Sequence, residues 1–551
     1  MQLSEGNEFL KCKLCRENWS RGYCAICGKL VCDECSERIG YARVCPSCLK
    51  RFKGERNVKQ LKKYLKKHEK SSKKEFKLIH KEVRNIEGES VYLHVGIDDV
   101  DSPYGYCTTY LGAVLAEKLD NYANFLDYPH LIRFNPNIPF KTRGNAGIAF
   151  HLLINKEKVD EVKDLTLKTI ENSAQSAFGT TQSALTFYLA TTSNIPSTFR
   201  EIYHKAVTDL VRYEELIKLV APLSSGRLEV YSHTRKPQGA VGSLAAIGAN
   251  LKDYTFELLA YRDPALQRSK REVAKRKVRY IDKTFKDVTF DNFDGRRMLI
   301  TPHGPDPVLF GLRGDFPIPL LKAFNLLEHE EIDRWCLYRT NQATNVHIID
   351  VDSLSDAKVY QTIRTTVWVE NTTRLQGGKV ILGLTDGEYQ CKAILFPPTG
   401  NLRNVGRKLG VGDKIEITGA VTEKENGSIE VNVEELRPIS LLPNIKKRNP
   451  LCPKCGDRLK SKGRGEYRCL NCGFKLRKKR KITVFGSEKD LKEQKRYIPP
   501  PSAHRHLTLP ENRRRFSLLK KEGNLKVPFM RPFAGRKKVS VSQLERVHIL
   551  E

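Results

Sequence analysis

The sequence contains no apolar run long enough to cross a membrane. A transmembrane helix needs about 18 or more consecutive apolar residues, and charged or polar residues interrupt every hydrophobic stretch before that length. Residues 1–20 are polar and include two cysteines, unlike the apolar core of a secretory signal. We therefore expect a cytoplasmic protein with no membrane partner.

Two common motifs for binding phosphate or calcium are also absent. No Gly-x4-Gly-Lys-Ser/Thr occurs, which excludes the phosphate loop of Walker-type enzymes. The aspartate-rich segment GIDDVDSPYGYCTTY (96–110) could be aligned with an EF-hand calcium loop that starts at Asp99. Its fifth and twelfth positions would then be Pro103 and Tyr110. The calcium loop is excluded because those positions must supply oxygen ligands, with glutamate at the twelfth.

The net charge of +32 is concentrated in two segments. Residues 51–84 contain 14 Lys/Arg and 4 Asp/Glu, residues 473–551 contain 22 Lys/Arg and 7 Asp/Glu, and the chain between them is nearly balanced. Positive segments attract a polyanion over long distances and release its counterions on contact, which favours nucleic acid as the partner. Solvated or disordered tails are the alternative explanation for such charge runs.

Twelve of the 15 cysteines form six Cys-x-x-Cys pairs. In a chain with no export signal, paired thiols indicate metal ligands rather than disulfides. Near the C-terminus two pairs enclose 13 residues, and a glycine follows the second cysteine of each pair. Each pair can direct two thiolates at one tetrahedral zinc ion. The spacing predicts a zinc ribbon whose Zn²⁺ ligands are Cys452, Cys455, Cys469 and Cys472.

The four N-terminal cysteine pairs allow two zinc-binding arrangements. Joining neighbouring pairs would close loops of 8 and 9 residues, whereas joining the first pair to the third and the second to the fourth encloses 16 and 17 residues. The longer loops match the usual spacing of sites built from four cysteines. We therefore predict two interleaved zinc ions in residues 1–50, with the ligand sets Cys12, Cys15, Cys32, Cys35 and Cys24, Cys27, Cys45, Cys48.

This interleaved pattern, with CAICGKLVCDECS at its centre, resembles the cross-brace of FYVE and RING-like domains. The basic, histidine-rich stretch with which FYVE domains bind a phosphoinositide is missing, as SRGYCAIC shows. A lipid-binding adaptor role at a membrane is therefore disfavoured. Docking to RNA or protein and a purely structural role both stay open. Residues 51–88, lysine-rich with spaced apolar residues, are predicted to form a basic helical linker.

Residues 89–345 alternate strand-like and helix-like runs. VYLHVGI, GIAFHLLI and PVLFGLRG are typical of strands, and YLGAVLAEKLD and VGSLAAIGANL are typical of helices. Such alternation predicts an α/β or α+β core made of two closely packed subdomains.

The C-terminal part of the sequence predicts three further regions. Residues 358–440 contain five short strands separated by Gly- or Asn-containing turns, the outline of an OB-fold β-barrel. The zinc ribbon over 448–476 follows, and then a basic extension over 477–551 that we expect to fold onto RNA or onto the rest of the protein. An OB-fold beside a zinc ribbon suits single-stranded nucleic acid, with bases stacked on exposed aromatic rings. The stacking candidates are Trp368, Tyr389 and Phe396.

The segment GIDDVDSPYGYCTTY lies between a strand-like run and a helix-like run that starts near Thr108. This order places the carboxylates of Asp98, Asp99 and Asp101 at the end of a strand, facing a helix N-terminus whose free N–H groups favour phosphate. Carboxylates this close need a counter-ion, and Mg²⁺ is the usual one where phosphates bind. The segment therefore indicates a nucleotide triphosphate site. The alternative is an Asp/Ser/Pro turn with a threonine capping the helix.

Four motifs in the same order resemble the archaeal tRNA(Ile) 2-agmatinylcytidine synthetase (agmatidine synthase) family. They are GIDDVDSPYGYCTTY, NPNIPFKTRGNAG (135–147), TPHGPDPVLFGLRG (301–314) and RTNQATNVH (339–347). An OB-fold, a zinc ribbon and the element PPPSAHRHL follow as in that family, so the resemblance covers residues 91–509. The cross-brace and the linker are additions to the family pattern, and Val100 stands where the family signature has threonine.

The resemblance implies a multidomain α+β enzyme whose α/β catalytic core combines a kinase-like and a ferredoxin-like subdomain. Members of the family replace the carbon-2 oxygen of the wobble cytidine of an isoleucine tRNA with agmatine, and they consume ATP. Because the carbon-2 carbonyl of cytosine resists amines, its oxygen is first phosphorylated and then displaced as phosphate. The implied cofactors are ATP, Mg²⁺ and Zn²⁺, and the implied partners are agmatine and the tRNA with the CAU anticodon.

The resemblance also assigns site residues. Asp98, Asp99 and Asp101 would bind Mg²⁺ on the triphosphate, and Thr108 aligns with the threonine that is phosphorylated in the family. The residues that would hold ATP or the cytidine are Ser102, Thr109, Lys141, Arg143 and Asn145. His303 and Asp306 would line the agmatine side, where a carboxylate can meet a guanidinium group. Ordinary polar turns are the alternative for both KTRGN and TPHGPDP.

The rival function is that of a non-catalytic RNA-binding protein built from the same OB-fold, zinc ribbon and basic segments. It would explain the charge distribution but not the aspartate cluster. It also predicts no ATP turnover, which separates the two hypotheses.

Overall fold

A computed structural model of the chain describes most of its residues. The described ranges are 12–18, 22–24, 26, 29–39, 42–52, 59–61, 63, 77–82, 89–100, 107–139, 144–173, 182–221, 223, 227–235, 237–266, 269–295, 297–304, 306–424, 427–443, 445–463, 465–477, 481–485 and 489–540. Within the main part of the chain, residues up to 349 and from 500 onward belong to one compact unit, and residues 363–499 belong to a second. Within these ranges, no helix has the length and apolar character to span a bilayer.

The N-terminal cysteine region is built from short elements. Its strands are β1 Gly22–Tyr23, β2 Leu30–Val31, β3 Glu37–Ile39 and β4 Ala42–Val44, and its helix is α1 Pro46–Arg51. β1 pairs with β2 and β3 pairs with β4, both antiparallel. The small core contains five cysteines together with Val31, Ile39, Val44, Phe52 and Leu61. So few apolar side chains seldom hold a domain of this size together without metal or disulfides.

The region predicted to be catalytic, here called the catalytic region, runs from residue 77 to residue 340 and contains one large sheet flanked by helices. The strands of this region are β5 Lys77–Glu82, β6 Ser90–Asp98, β7 Asn124–Phe125, β8 His130–Arg133, β9 Ala146–Asn155, β10 Ala184–Ala190, β11 Arg227–Ser232, β12 Thr255–Tyr261, β13 Thr289–Phe290, β14 Phe293–Asp294, β15 Arg297–Met298, β16 Val308–Gly314 and β17 Arg334–Thr340. Its helices are α2 Thr108–Leu119, α3 Val159–Ser173, α4 Ser197–Thr208, α5 Tyr213–Val220, α6 Gly239–Ile247, α7 Lys275–Thr284 and α8 Pro317–Leu326.

The catalytic region has two halves, the first and second subdomains, with strands over residues 77–232 and 255–340. The strand order shows how they join. The order is β13-β16-β12-β17-β8-β9-β6-β10-β11-β5, and β7 pairs with β9. The parallel pairing of β17 with β8, Arg339 beside His130, connects the two halves, whereas neighbouring pairs within each half are antiparallel. The second half therefore continues the sheet of the first, an arrangement consistent with two closely packed subdomains.

β6 is the central strand of the first half, and its two faces differ. Val91, Leu93, Val95 and Ile97 alternate along it and belong to the larger apolar core. On the other face α6 lies directly against Gly96, where an added Cβ would be 2.0 Å from the carbonyl oxygen of Ser243. Glycine thus allows α6 to approach the end of β6, where the aspartates are.

The end of the predicted helical linker is a strand. β5 extends the sheet by pairing antiparallel with β11, from Lys77 beside Ser232 to Glu82 beside Leu228. The spaced apolar residues of this segment fit a helix as well as a strand. The outer edge of β11, far away in sequence, favours the strand because it offers backbone hydrogen-bonding groups.

The OB-fold prediction is confirmed. The strands are β18 Ile348–Asp350, which pairs at the edge of the sheet, and β19 Thr362–Arg374, β20 Val380–Thr385, β21 Gln390–Leu395, β22 Lys414–Glu423 and β23 Ile429–Ser440, with α9 Asn401–Gly406 between β21 and β22. Pairing of β19 with β22 closes the barrel. The zinc ribbon that follows has the strands β24 Ile445–Arg448, β25 Lys460–Gly463, β26 Glu466–Arg468, β27 Lys475–Leu476 and β28 Ile482–Phe485.

The described end of the basic extension folds onto the catalytic region, one of the two outcomes expected for it. It contains α10 Arg514–Lys521 and β29 Ala534–Gly535, which pairs with β17. Phe533 is buried in the core of the catalytic region. Arg513 and Lys520, both buried, form ion pairs with Asp315 of that region, with Arg513 Nε and Lys520 Nζ 3.1 and 2.9 Å from Oδ1.

Candidate active site

Asp98 and Asp99 lie where β6 ends. The backbone N–H of Asp99 donates to Oδ1 of Asp98 at 2.8 Å, and the N–H of Gln182 donates to Oδ2 of Asp99 at 2.6 Å. Asp99 has a φ of +55°, a left-handed conformation that is uncommon for non-glycine residues, although aspartate adopts it more readily than most. The two hydrogen bonds hold this turn in one shape. Asp101 and Ser102 lie outside the described residues.

The carboxylate of Asp98 is in contact with the first turn of α6. A Cβ on Gly242 would lie 1.8 Å from Oδ2 of Asp98, so no larger residue fits there without moving the carboxylate. Val100 is 2% exposed and belongs to the apolar core. A valine is suited to that position because the core requires no hydroxyl group, which gives a physical reason for this departure from the family signature.

Thr108 and Thr109 begin α2, where the sequence predicts a helix start. Both are buried, and Cys107 before them is extended. The hydroxyl of Tyr338 donates to the carbonyl oxygen of Thr109 at 2.6 Å, which connects the first turn of α2 to β17 of the other subdomain. The N-terminus of α2 offers the backbone N–H groups that favour phosphate.

A cavity of about 890 Å³ extends from this helix start into the second subdomain. Five of the predicted site residues line it: Thr108, Thr109, Asn145, His303 and Asp306. The structure thus brings together motifs that are up to about 200 residues apart in the chain. Lys141 and Arg143 lie outside the described residues.

His303 and Asp306 are both engaged in local contacts. Nε2 of His303 lies 3.0 Å from a guanidinium nitrogen of Arg297. Oδ1 of Asp306 accepts the backbone N–H of Val308 at 3.1 Å and lies 3.4 Å from the guanidinium of Arg271. The Asp306 carboxylate therefore stabilises its own turn while it lines the cavity.

A buried charge cluster in the cavity wall was not predicted. Glu257, 1% exposed, accepts from Arg313 at 2.8 Å and lies 3.5 Å from Arg133. Burial disfavours the charged carboxylate, but Arg313 and Arg133 outweigh it and hold the pKa of Glu257 below its usual range. Two arginines against one carboxylate leave a positive wall near Thr108, suited to phosphate. Arg313 lies in the TPHGPDPVLFGLRG motif, but Arg133 and Glu257 lie outside all four motifs, so no sequence pattern indicates that the three side chains meet.

The C-terminal extension supplies a further part of the wall. Pro501, Ser502, His504, Arg505, His506 and Leu507 line the cavity. Nδ1 of His504 lies 2.8 Å from Oδ1 of Asp291, and Nδ1 of His506 lies 3.3 Å from the side-chain oxygen of Gln342. The PPPSAHRHL element belongs to the family resemblance, but the sequence indicates no role for its residues.

The cysteines form separate thiol clusters. The Sγ atoms of Cys12, Cys15, Cys32 and Cys35 lie within 4.8 Å of one another, as do those of Cys24, Cys45 and Cys48, and those of Cys452, Cys455, Cys469 and Cys472. The N-terminal clusters follow the first-to-third and second-to-fourth order. Cys27 lies outside the described residues. Four thiols at this separation suit a tetrahedral zinc ion.

The aromatic residues singled out in the OB-fold are exposed rather than core. Trp368, Tyr389 and Phe396 are 40%, 48% and 37% exposed. Nζ of Lys414 lies 4.8 Å from the ring centre of Trp368, and Nζ of Lys379 lies 5.0 Å from that of Phe396. A ring next to a lysine on a barrel surface combines stacking with charge, the pattern used for single-stranded nucleic acid.

The fold and the cavity are typical of a multidomain enzyme that acts on nucleic acid, with a two-part catalytic core, an OB-fold and a zinc ribbon. Comparison with known families gives the same result. The TiaS TCKD domain matches residues 94–221 and the TiaS FLD domain matches residues 237–347. The OB-fold nucleic acid binding domain matches residues 363–439, and the TiaS C-terminal zinc ribbon domain matches residues 449–488. The chain belongs to the TiaS family, as the sequence motifs indicated.

Known relatives match about three quarters of the chain. The isoleucine-tRNA 2-agmatinylcytidine synthetase TiaS of Pyrococcus horikoshii is 36% identical over 76% of this chain and 96% of its own length. The TiaS of Methanocaldococcus jannaschii is 35% identical over 76% of this chain and 98% of its own length. A crystal structure of TiaS in complex with its isoleucine tRNA and ATP has a TM-score of 0.65, with 30% identity over 80% of this chain and 100% of the other. A complex of TiaS with the tRNA, AMPCPP and agmatine has a TM-score of 0.64, with 28% identity over 76% and 96%.

Proposed function

We propose that this protein is an ATP-dependent ligase that conjugates agmatine to carbon 2 of the wobble cytidine of an isoleucine tRNA with the CAU anticodon, acting in the cytoplasm. Family membership over nearly the full length of the relatives supports this activity. The observation that carries it here is the shared cavity, because Thr108 and Thr109 of one subdomain line it together with His303 and Asp306 of the other. A non-catalytic RNA-binding protein would have no use for such a cavity.

The phosphate side of the reaction is assigned to the start of α2 and the end of β6. Asp98 and Asp99 would hold Mg²⁺ together with Asp101, and Thr108 would accept phosphate from ATP. The donor set fits the ion, because carboxylate oxygens at one strand end are the hard ligands that Mg²⁺ prefers. When bound, Mg²⁺ neutralises charge on the phosphates. The guanidinium groups of Arg133 and Arg313 are placed to attract phosphate to the cavity wall.

The remaining predicted residues keep their proposed roles. Ser102, Thr109, Lys141, Arg143 and Asn145 would contact ATP or the cytidine. His303 and Asp306 would border the agmatine side of the cavity, where Asp306 acts mainly through the turn that it stabilises. The three cysteine clusters would each hold one Zn²⁺, and the ribbon and the OB-fold would bind the tRNA.

Incorporation of labelled agmatine tests this function directly. Wild-type protein, ATP, Mg²⁺ and a transcript of the isoleucine tRNA should yield 2-agmatinylcytidine, detected by mass spectrometry of the digested nucleosides. Asp99→Asn and Thr108→Ala should abolish incorporation and leave tRNA binding nearly unchanged. Asp164→Asn, which removes an exposed carboxylate on α3, is the matched control and should stay active. An inactive wild type, or full activity in Asp99→Asn, would contradict the proposal.

A further inference from the structure

His504 and Asp291 form a hydrogen-bonded pair in the wall of the cavity. Nδ1 of His504 lies 2.8 Å from Oδ1 of Asp291, and the side chains are 5% and 13% exposed. Both residues line the cavity that Thr108 also lines. A carboxylate at one imidazole nitrogen fixes the orientation of the ring and stabilises its protonated form, which prepares the histidine to take up a proton.

The backbone on both sides of the pair is held in place. Asp291 has a φ of +54°, a left-handed conformation that a non-glycine residue keeps only where surrounding contacts enforce it. Next to it, the side chain of Asn292 donates to the Thr289 hydroxyl at 2.9 Å. On the other side, the carbonyl oxygen of His506 accepts the N–H of Ala343 at 2.8 Å. The geometry of the pair is therefore set by two separate parts of the fold.

The proposed reaction needs a base at its second step. The primary amine of agmatine is an aliphatic amine, like that of lysine with a pKa of about 10.4, and is protonated at neutral pH. Only the neutral amine can attack carbon 2 of the phosphorylated cytidine. Of the three protons on the ammonium group, one must pass to a base before attack, one leaves with the phosphate, and one stays on the product nitrogen. The new N–C2 bond replaces the C2–O bond, whose electron pair leaves with the phosphate.

We propose that His504 is the base that takes this first proton, with Asp291 as its positioning residue. The assignment rests on the proposed function, because it concerns the amine transfer that follows phosphorylation. Asp294 lies next to the pair, where its Oδ2 accepts the backbone N–H of Ser502. The other charged and titratable groups in the same cavity wall are Arg133, Glu257, Arg297, His303, Asp306, Arg313, Arg505 and His506. Asp291 can stabilise the imidazolium that forms when His504 takes up the proton.

The test separates the two steps of the reaction. Transfer of the γ-phosphate of labelled ATP to protein or tRNA reports the first step, and labelled agmatine in tRNA reports the second. His504→Asn is the informative variant, because the asparagine amide can still donate to Asp291 while the rest of the ring is removed. His204→Gln, an exposed histidine on α4, is the matched control. Asp291→Asn removes the positioning carboxylate and keeps the shape.

His504→Asn should keep phosphate transfer within about threefold of wild type and lose amine transfer by roughly 10²–10⁴-fold at pH 7. Its deficit should shrink about tenfold per pH unit as the free amine becomes more abundant. Asp291→Asn should show a smaller loss and a displaced pH profile. Equal loss of both steps in His504→Asn, or a deficit that does not change with pH, would overturn the role of His504. Absence of agmatine transfer in the wild type would instead contradict the proposed function.

Discussion

Arg513, which immediately precedes α10, is paired with Asp253 in the interior of the catalytic region, with Nη1 3.0 Å from Oδ2. Both side chains are buried, and the same guanidinium donates to the carbonyl oxygen of Ala343 at 2.7 Å. A pair of this kind fastens the C-terminal extension, and with it the cavity wall that contains His504, to the rest of the unit.

Arg513→Ala should lower the free energy of unfolding by roughly 3–5 kcal/mol, because it removes the guanidinium from the buried carboxylates of Asp253 and Asp315. The neighbouring pair of Arg514 with Glu511 is exposed. Arg514→Ala should therefore cost less than about 1 kcal/mol. Chemical denaturation of the two variants gives the comparison, and similar losses in both would refute the anchoring role.

Gly242→Ala should damage catalysis by displacing a carboxylate. The added Cβ would lie 1.8 Å from Oδ2 of Asp98, so Asp98 must move. A displacement of about 1 Å at a catalytic group can cost roughly 100-fold in rate. Gly410→Ala, where the nearest atom would be 3.5 Å away, is the control and should retain full agmatine incorporation. An active Gly242→Ala would show that Asp98 does not act in the reaction.

The purified protein should contain three zinc ions per chain by elemental analysis. Changing Cys469 and Cys472 together to serine should remove one zinc and weaken tRNA binding, since the short strands of the ribbon depend on the metal for their stability. Cys391→Ala, a lone cysteine within the barrel, should retain all three. Fewer than three zinc ions in the wild type would refute the assignment of the N-terminal clusters.

Trp368→Ala should weaken tRNA binding by about 1–3 kcal/mol, the usual contribution of one stacked base. The ring is exposed next to Lys414, so its removal takes away a stacking surface and not core volume. Leu375→Ala removes an apolar side chain of similar exposure from the same barrel and serves as the control. Equal affinities for all three proteins in filter-binding titrations would exclude Trp368 as a stacking platform.

Acid should destabilise the protein through three buried histidines that contact one another, His94, His151 and His130. Nδ1 of His94 lies 2.8 Å from Nδ1 of His151, whose Nε2 lies 3.2 Å from His130. Burial, reinforced by the charge of His130, lowers the pKa of His94 to about 4. Between pH 6.5 and 4 the unfolded chain thus binds a proton that the folded chain does not. Stability should fall across this window as pH falls, by up to about 1.4 kcal/mol per pH unit for each such proton.

Thermal melts from about pH 7 to about pH 4 measure this slope. His94→Gln should make the slope shallower, and the exposed control His204→Gln should leave it unchanged. An identical slope in His94→Gln would show that other groups cause the acid sensitivity.

The site could be predicted from sequence where its parts are local. The strand before Asp98 and the helix from Thr108 lie next to each other in the chain, so apolar periodicity alone placed carboxylates and hydroxyls in one turn. The order of the four motifs then assigned His303 and Asp306 to the same candidate site as this turn. Glu257 with its two arginines could not be found in the same way, because their meeting depends on strand pairing between distant segments.

The basic extension shows that composition alone does not predict which charged side chains are buried. Its lysines and arginines are typical of a solvated tail, and two of them, Arg513 and Lys520, are buried against carboxylates of another region. β5 is a similar case. Its sequence also fits a helix, but pairing with the outer edge of β11 makes it a strand. In both, the partner that fixes the structure is more than 140 residues away.

The wall formed by Pro501, His504 and His506 is synthesised after every other part of the cavity. The start of α2, Arg133 and Arg313 all leave the ribosome before it. A chain that stops after the OB-fold would therefore possess the phosphate-handling groups without the residue proposed to accept the proton from agmatine. Such a fragment would also lack Arg513 and Lys520, which pair with buried carboxylates of the catalytic region. The order of these elements makes synthesis through this last wall a condition for the proposed amine transfer.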